Sequence, residues 1–321
     1  MQAIKAYTQI FEDLNCTKPL EKIELIGRTC YKSEDKITED SAPRFIENLI
    51  KRGHEAMLEH ATFIFEVDDV AYGDIQRTNI FFEESGSEKA HLRFTRCGGR
   101  LVVSGNVRAW RDYIKKHYEF FKHIEGYMVS FIDDNESLFP EFHREDCVRT
   151  FNGEFKQITV DDLTDEEKLI HCDLTVKFVT DRGISHEIVR HRIASYAQES
   201  TRYCNYTKDK FNNELTFIIP DFLEYGSEGF KIWKEQMKQA EKAYFAMIEV
   251  GHTPQEARDV LPTSIKTELI MTANLNEWRH FFKLRAANQT GKAHPQMLEI
   301  TQPLLDDVKK LIPTVFDDIN Y

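Results

Sequence analysis

Three short apolar runs limit what this chain can fold into. "ATFIFEV" (61–67), "DLTVKFV" (173–179) and "ELTFIIP" (214–220) have the length of strands and are rich in β-branched and aromatic residues. The last is closed by its own proline. Elsewhere the period changes to that of a helix. "TEDSAPRFIENLIKRGH" (38–54) opens on a cap-like Thr38 with Glu39 and Asp40, then places Phe45, Ile46, Leu49 and Ile50 on one face. "EGFKIWKEQMKQAEKAYFAMIEVG" (228–251) reads as a long helix closed by Gly251. "NEWRHFFKLRAANQTG" (276–291) reads as another, stopped by Gly291, and 294–311 as the last long helix. The chain reads as a mixture of helix and strand, of α+β class. The polar, acidic stretch 133–172 reads as a surface insertion or loop.

A chain of 321 residues, 41% of them hydrophobic, has room for a large core in one or two domains. It holds no apolar run of the ~18 residues that a spanning helix needs. "MQAIKAYTQIFEDLN" lacks the long apolar stretch of a signal peptide, so the expectation is a cytoplasmic protein without a membrane partner. The six Cys form no Cys-x-x-Cys pair and read as reduced thiols. A net charge of -12 argues against a broad nucleic-acid-binding face, which needs clustered Lys and Arg.

One segment runs against that acidity. "RHRIASYAQESTRYCNY" (190–206) carries three Arg and one Glu, with hydroxyls and Tyr between them. A local positive pocket in an acidic protein suits a small anion. No Gly-x-Gly-x-x-Gly or P-loop is present, and "CGGR" (97–100) reads as a turn, so anion capture rests on side chains. The planar guanidinium fork matches phosphate oxygens and stays charged, which points to Arg190, Arg192, Arg202, Arg258 and Arg285. A Ser–His nucleophile at Ser195 and His191 has no elbow motif behind it, and the hydroxyls read better as ligand hydrogen-bonders or turn caps. The His pairs in "HEAMLEH" (54–60) and "HEIVRH" (186–191) miss the i, i+4 spacing of zinc helices, so no metal is expected.

Two segments echo each other. "SGNVRAWRDYIK" (104–115) and "TANLNEWRHFFK" (272–283) share an Asn, a Trp-Arg pair, an aromatic and a Lys in the same order. A fainter echo links "GHEAMLEH" (53–60) and "SHEIVRH" (185–191). Partial duplication and the periodicity common to amphipathic helices both account for such matches.

Arg190-His191-Arg192, seven residues, then Ser200, followed by Arg202 and Tyr203, resembles the signature of the flavin-dependent thymidylate synthases. "GHEAMLEHATFIFEV" (53–67), "EARDVLP" (256–262), "TANLNEWRHFFKLR" (272–285) and "HPQMLEI" (294–300) resemble further segments of that family in its order. The resemblance covers roughly 20–67 and 173–315. It implies a mixed sheet flanked by long helices, in a single catalytic domain over 1–321 with a large insertion at about 68–172.

The function it implies is that of a methyltransferase. dUMP becomes dTMP, 5,10-methylenetetrahydrofolate gives the carbon, and FAD reduced by NADPH gives the hydride. By similarity Glu187, Arg190, Gln198, Ser200, Arg202, Arg258 and Arg285 bind dUMP, and Arg285 activates the uracil. By similarity His54, Glu59, Arg190, His191, Arg192, Gln198, Asn274, His280 and His294 bind FAD. A homotetramer with shared sites is likewise implied. The chain departs from the family pattern at Ala56, Ala197 and Asn276, in the longer path "AANQTGK", and in the insertion. A non-catalytic nucleotide- or flavin-binding protein on the same fold is the alternative those departures allow.

Overall fold

Strand β10 (Lys266–Asn274) is buried along all but its end residues, and a four-stranded sheet is assembled around it in the order β2 (Tyr7–Phe11), β7 (Asp173–Asp181), β10, β8 (Ser195–Gln198). A computed structural model describes residues 1–68, 92–97, 100–116, 132, 134–142, 155–207, 213–289 and 291–321. Much of the expected insertion and the Gly98–Gly99 turn lie outside the described residues. Contacts divide the chain into two compact units, 1–12 with 27–35 and 174–321, and 13–26 with 36–173.

In the first unit, β2 (Tyr7–Phe11) pairs antiparallel with β7 (Asp173–Asp181) in the register Phe11↔Thr175. β10 pairs antiparallel with β8 (Ser195–Gln198) in the register Ile270↔Ala197. The hydroxyls of Thr175 and Thr272 hydrogen-bond at 2.8 Å between β7 and β10. A two-stranded parallel sheet joins β1 (Gln2–Ile4) to β9 (Thr216–Ile218). The short α5 (Arg182–Ile188) leaves β7 directly, and α8 (Leu275–Arg285) leaves β10 directly. Trp278 on α8 is fully buried and donates its indole N–H to the Leu174 carbonyl at 2.9 Å. α6 (Glu228–Glu249), α7 (Pro254–Ala257) and α9 (Pro295–Leu311) complete this unit's helices. The end of α1 (Pro19–Tyr31) belongs to it as well.

The expected helix over 276–291 ends early, at Arg285. The amides of Ala286 and Ala287 both bond the Phe282 carbonyl, and Asn288 turns the chain with a φ of 56°. A terminating turn therefore forms before Gly291, because Asn also tolerates left-handed backbone.

In the second unit, β3 (Thr62–Val67) lies between β5 (Arg100–Asn106) and β6 (Phe155–Gln157), with β4 (Leu92–Cys97) outside β5. α2 (Ser41–Lys51) and α3 (Val107–Lys116) belong to this unit. Phe65 on β3 meets Trp110 on α3 edge to face, 5.4 Å between centroids. Strands of the expected insertion thus supply hydrogen-bonded neighbours to β3 on both sides.

The stretch 155–172 is more ordered than an acidic surface loop. Phe155, Ile158, Val160 and Leu163, separated by polar residues, are buried. α4 (Asp165–His171) then starts on a capping box between Thr164 and Glu167. Its last residue, His171, is fully buried between Thr95 and Ser104, 2.8 Å from each hydroxyl. Among the described residues no helix is long and apolar enough to cross a membrane.

Candidate active site

The Arg-rich signature begins in the turn between α5 and β8 and runs through β8. Asp181 ends β7 and caps α5, its Oδ1 accepting from the Ile184 amide at 2.8 Å. Its Oδ2 accepts from Gln296 Nε2 at 2.7 Å, which ties the start of α5 to the start of α9. Burial pushes the Asp181 carboxyl above its usual range even though both oxygens accept bonds. α5 presents Glu187, and the chain then turns through Arg190, His191 and Arg192. The two arginines are exposed and His191 is only 5% exposed. Tyr196 braces this turn, its phenol lying 3.0 Å from the Ile188 carbonyl and 2.7 Å from the His191 carbonyl. Burial, with Glu277 adding to it, raises the Tyr196 pKa, so the phenol stays a donor.

Arg285, at the C-terminal end of α8, reaches back to the same turn. Its Nη1 donates to Glu187 Oε2 at 3.0 Å and its Nη2 to the Glu187 carbonyl at 3.1 Å. Its Nε points at His191 Nε2, 3.4 Å away. The other ring nitrogen of His191, Nδ1, lies 3.1 Å from Glu277 Oε1. The Arg285 side chain is 18% exposed, so the guanidinium is largely withdrawn from water yet open on one side. Thr301 on α9 holds the Arg285 carbonyl at 2.7 Å.

These contacts bring Glu187, His191 and Arg285 together, with the exposed His280 ring 5.6 Å from that of His191. Gln198 sits close by in sequence, but its amide donates to Ser185 Oγ at 2.9 Å and Thr267 Oγ1 at 3.1 Å. Ser200 Oγ accepts from the Arg202 amide at 3.3 Å, and the exposed Arg202 guanidinium lies over the Tyr203 ring. Asn274 caps α8, its Oδ1 accepting from the Glu277 amide at 2.8 Å. His294 likewise caps α9 through Nδ1. Arg258 sits half-buried after α7, and among the described residues no hydrogen bond or ion pair links its side chain to the others. His54 and Glu59 lie in the second unit. His54 is exposed ahead of a 3-10 turn, and Glu59 is ion-paired to Arg108.

Sequence reasoning passed over Glu277, Asp181, Gln296 and Tyr196. A signal existed for Glu277: Asn274-x-x-Glu277 before an apolar helix has the spacing of a capping box, which places Glu277 on the first turn. Nothing local marks Gln296 as the partner of Asp181. Donor atoms of His191, Glu277 and His280 all lie within 4.8 Å of one another, the spacing a metal ion could use. The Arg285 guanidinium on the same imidazole opposes a cation there.

The Thy1 family, described as thymidylate synthase complementing protein, matches residues 14–83 and 159–314. A flavin-dependent thymidylate synthase of Pyrococcus furiosus is 37% identical over 129 residues, 40% of this chain and 51% of the relative. Those of Thermococcus kodakarensis and Geobacter sulfurreducens are 35% identical over 146 residues and 34% over 137, covering 58% and 56% of their lengths. The chain thus spans about half the length of the curated relatives it matches. Among solved structures, a UMP/dUMP methylase PolB from Streptomyces cacaoi bound with 5-Br dUMP aligns at 20% identity with a TM-score of 0.39. That alignment covers 46% of this chain and 70% of the methylase.

Proposed function

The chain belongs to the Thy1 family, the thymidylate synthase complementing proteins, and from that premise we propose that it methylates dUMP to dTMP reductively. 5,10-methylenetetrahydrofolate is the carbon donor, FAD the cofactor and NADPH the reductant in this reading. The observation that carries it is Arg285, held by Glu187 and beside His191 within the family-matched segment.

The donor set suits a flavin dinucleotide. Arg190 and Arg192 present exposed charge to either side of His191. Asn274 spends its carbonyl on the helix cap, which leaves amide N–H groups for an acceptor. When bound, FAD supplies hydride chemistry that no side chain can. The chain's own residues do the rest. Arg190 and Arg202 receive the nucleotide phosphate as charge-assisted donors, with Ser200 beside them. Arg285 donates to the pyrimidine without giving up its proton, and so stabilises negative charge as it develops on the ring. Glu187 keeps that guanidinium in place. Gln198, Arg258, His54, Glu59, His280 and His294 complete the proposed nucleotide and flavin contacts, with subunits of a homotetramer sharing them.

Two measurements test this. The purified protein should show flavin absorbance that bleaches with NADPH. It should also release tritium from ring-labelled dUMP when the folate and NADPH are supplied. A folded protein that takes up no FAD at micromolar concentration and releases no tritium rejects the proposal.

A further inference from the structure

We infer that Glu277 is a positioning residue: it holds the proton of His191 on Nδ1, leaves Nε2 as an acceptor, and thereby fixes where Arg285 points. The argument starts from the guanidinium, which only donates. Arg285 Nε faces His191 Nε2 at 3.4 Å, so that nitrogen must offer its lone pair. A neutral imidazole then carries its single N–H on Nδ1. There it meets Glu277 Oε1 at 3.1 Å, an acceptor when ionised. Both edges of the ring are thus satisfied in one tautomer and neither in the other.

The ring has little freedom to escape this choice. Its side chain is 3% exposed, and Phe281 and His280 approach it edge-on with centroids 4.9 and 5.6 Å away. Glu277 is itself fixed, its amide capped by Asn274 and its side chain 12% exposed. A metal ion on Nδ1 would drive the proton to Nε2, where it would face the Arg285 donor. The cluster of Glu277 with the two histidines therefore works as a proton holder.

That Arg285 must point at a pyrimidine rests on the function proposed above; the tautomer does not. The test uses the full chain labelled with 15N-histidine at a pH of ~9, where an ordinary imidazole is neutral. Long-range 1H–15N correlation reads the tautomer, with His191 assigned by loss of its signals in His191→Asn. The expected result is Nδ1–H in the wild type. Glu277→Gln, which keeps a carbonyl acceptor, retains it, whereas Glu277→Ala shifts it toward Nε2–H. Turnover of dUMP falls ~10-fold or more in Glu277→Ala and recovers in Glu277→Gln, as expected for loss of a charge-assisted hydrogen bond.

Nε2–H in the wild type overturns the inference without any Glu277 variant, even if Glu277→Ala fails to fold. Nδ1–H surviving in Glu277→Ala overturns it too, as does a tautomer switch that leaves wild-type turnover intact. Micromolar zinc uptake that requires both Glu277 and His280 also overturns it. A tautomer that behaves as expected in a protein with no dUMP turnover rejects the proposed function and leaves the Glu277 assignment standing.

Discussion

Asn106 and Asn274 hold the same station at two strand-to-helix junctions. Asn106 ends β5 and its Oδ1 accepts from the Ala109 amide at 2.8 Å; Asn274 ends β10 and its Oδ1 accepts from the Glu277 amide at 2.8 Å. Each helix then buries a tryptophan four residues on, Trp110 in one unit and Trp278 in the other. The echo in sequence is therefore an echo in structure: a strand ends on Asn, and Asn starts the helix.

The two caps should separate by function. Asn106→Ala and Asn274→Ala each remove an N-cap acceptor and should cost about 1 kcal/mol in urea unfolding. Asp at either position, which keeps the acceptor, should stay near wild type. Asn274→Ala should also weaken FAD uptake, whereas Asn106→Ala should not. Equal flavin affinity in the two Ala variants would remove Asn274 from the proposed site.

Arg285→Ala should abolish most turnover with the fold kept, a loss of ~10²–10³ in kcat if the guanidinium stabilises developing charge. Arg285→Lys should recover little, because an ammonium cannot reach Glu187 twice and face His191 as well. Tritium release measured beside a thermal melt decides this. Full activity in Arg285→Ala contradicts the role assigned to it.

His171 predicts a pH dependence of stability. Burial, with Arg93 next, pushes its pKa down to about 3 from the ordinary 6.5. Arg100 also lowers it and Asp173 raises it, while Thr95 and Ser104 hydrogen-bond the ring. Between those two values the unfolded chain binds a proton that the folded chain refuses, so stability rises with pH there and levels off above about 6.5. The loss from pH 7.5 to 5 should be about 2 kcal/mol by linkage, and His171→Gln should flatten it. Asp173, held low by Arg93 and Thr62 against its burial, loses its contribution only at more acid pH, so the two effects separate. Urea midpoints that match at pH 5 and 7.5 in the wild type contradict the buried neutral histidine.

Glu268 lies among three ammonium groups, Lys32, Lys177 and Lys266. Burial pushes its carboxyl up, but the lysines outweigh that and hold it well below the usual range. Glu268→Gln leaves those charges without their shared partner and should cost ~3 kcal/mol or more. Chemical denaturation of the variant checks this, and a change below ~0.5 kcal/mol would show the cluster to be a solvated surface arrangement.

Local chemistry made much of this protein legible. β3 and β7 follow from short runs of β-branched and aromatic residues, and α6 and α9 from apolar residues at helical spacing, because both patterns act through the backbone of the segment that carries them. The Arg190–Arg202 cluster was equally plain, since charge set against an acidic chain needs no fold to be noticed. β10 was not legible as a strand: buried on both faces, "KTELIMTAN" lacks the alternation of a half-buried one. β8 hid behind its polar residues, and only its pairing with β10 makes Ser195-Tyr196-Ala197-Gln198 a strand with Ser195 and Ala197 buried.

The pairings that define the site belong to the tertiary structure alone. Glu277 meets His191 across 86 residues, Arg285 meets Glu187 across 98, and Gln296 meets Asp181 across 115. Spacing along a chain says which residues share a face of one element. It cannot say which faces meet, because that depends on how the buried surfaces of every element pack at once. The sequence by itself determined which charged groups cluster where an anion would suit them. The packing of α5, α8 and α9 around β7 and β10 decided which of them would be held, and in what orientation.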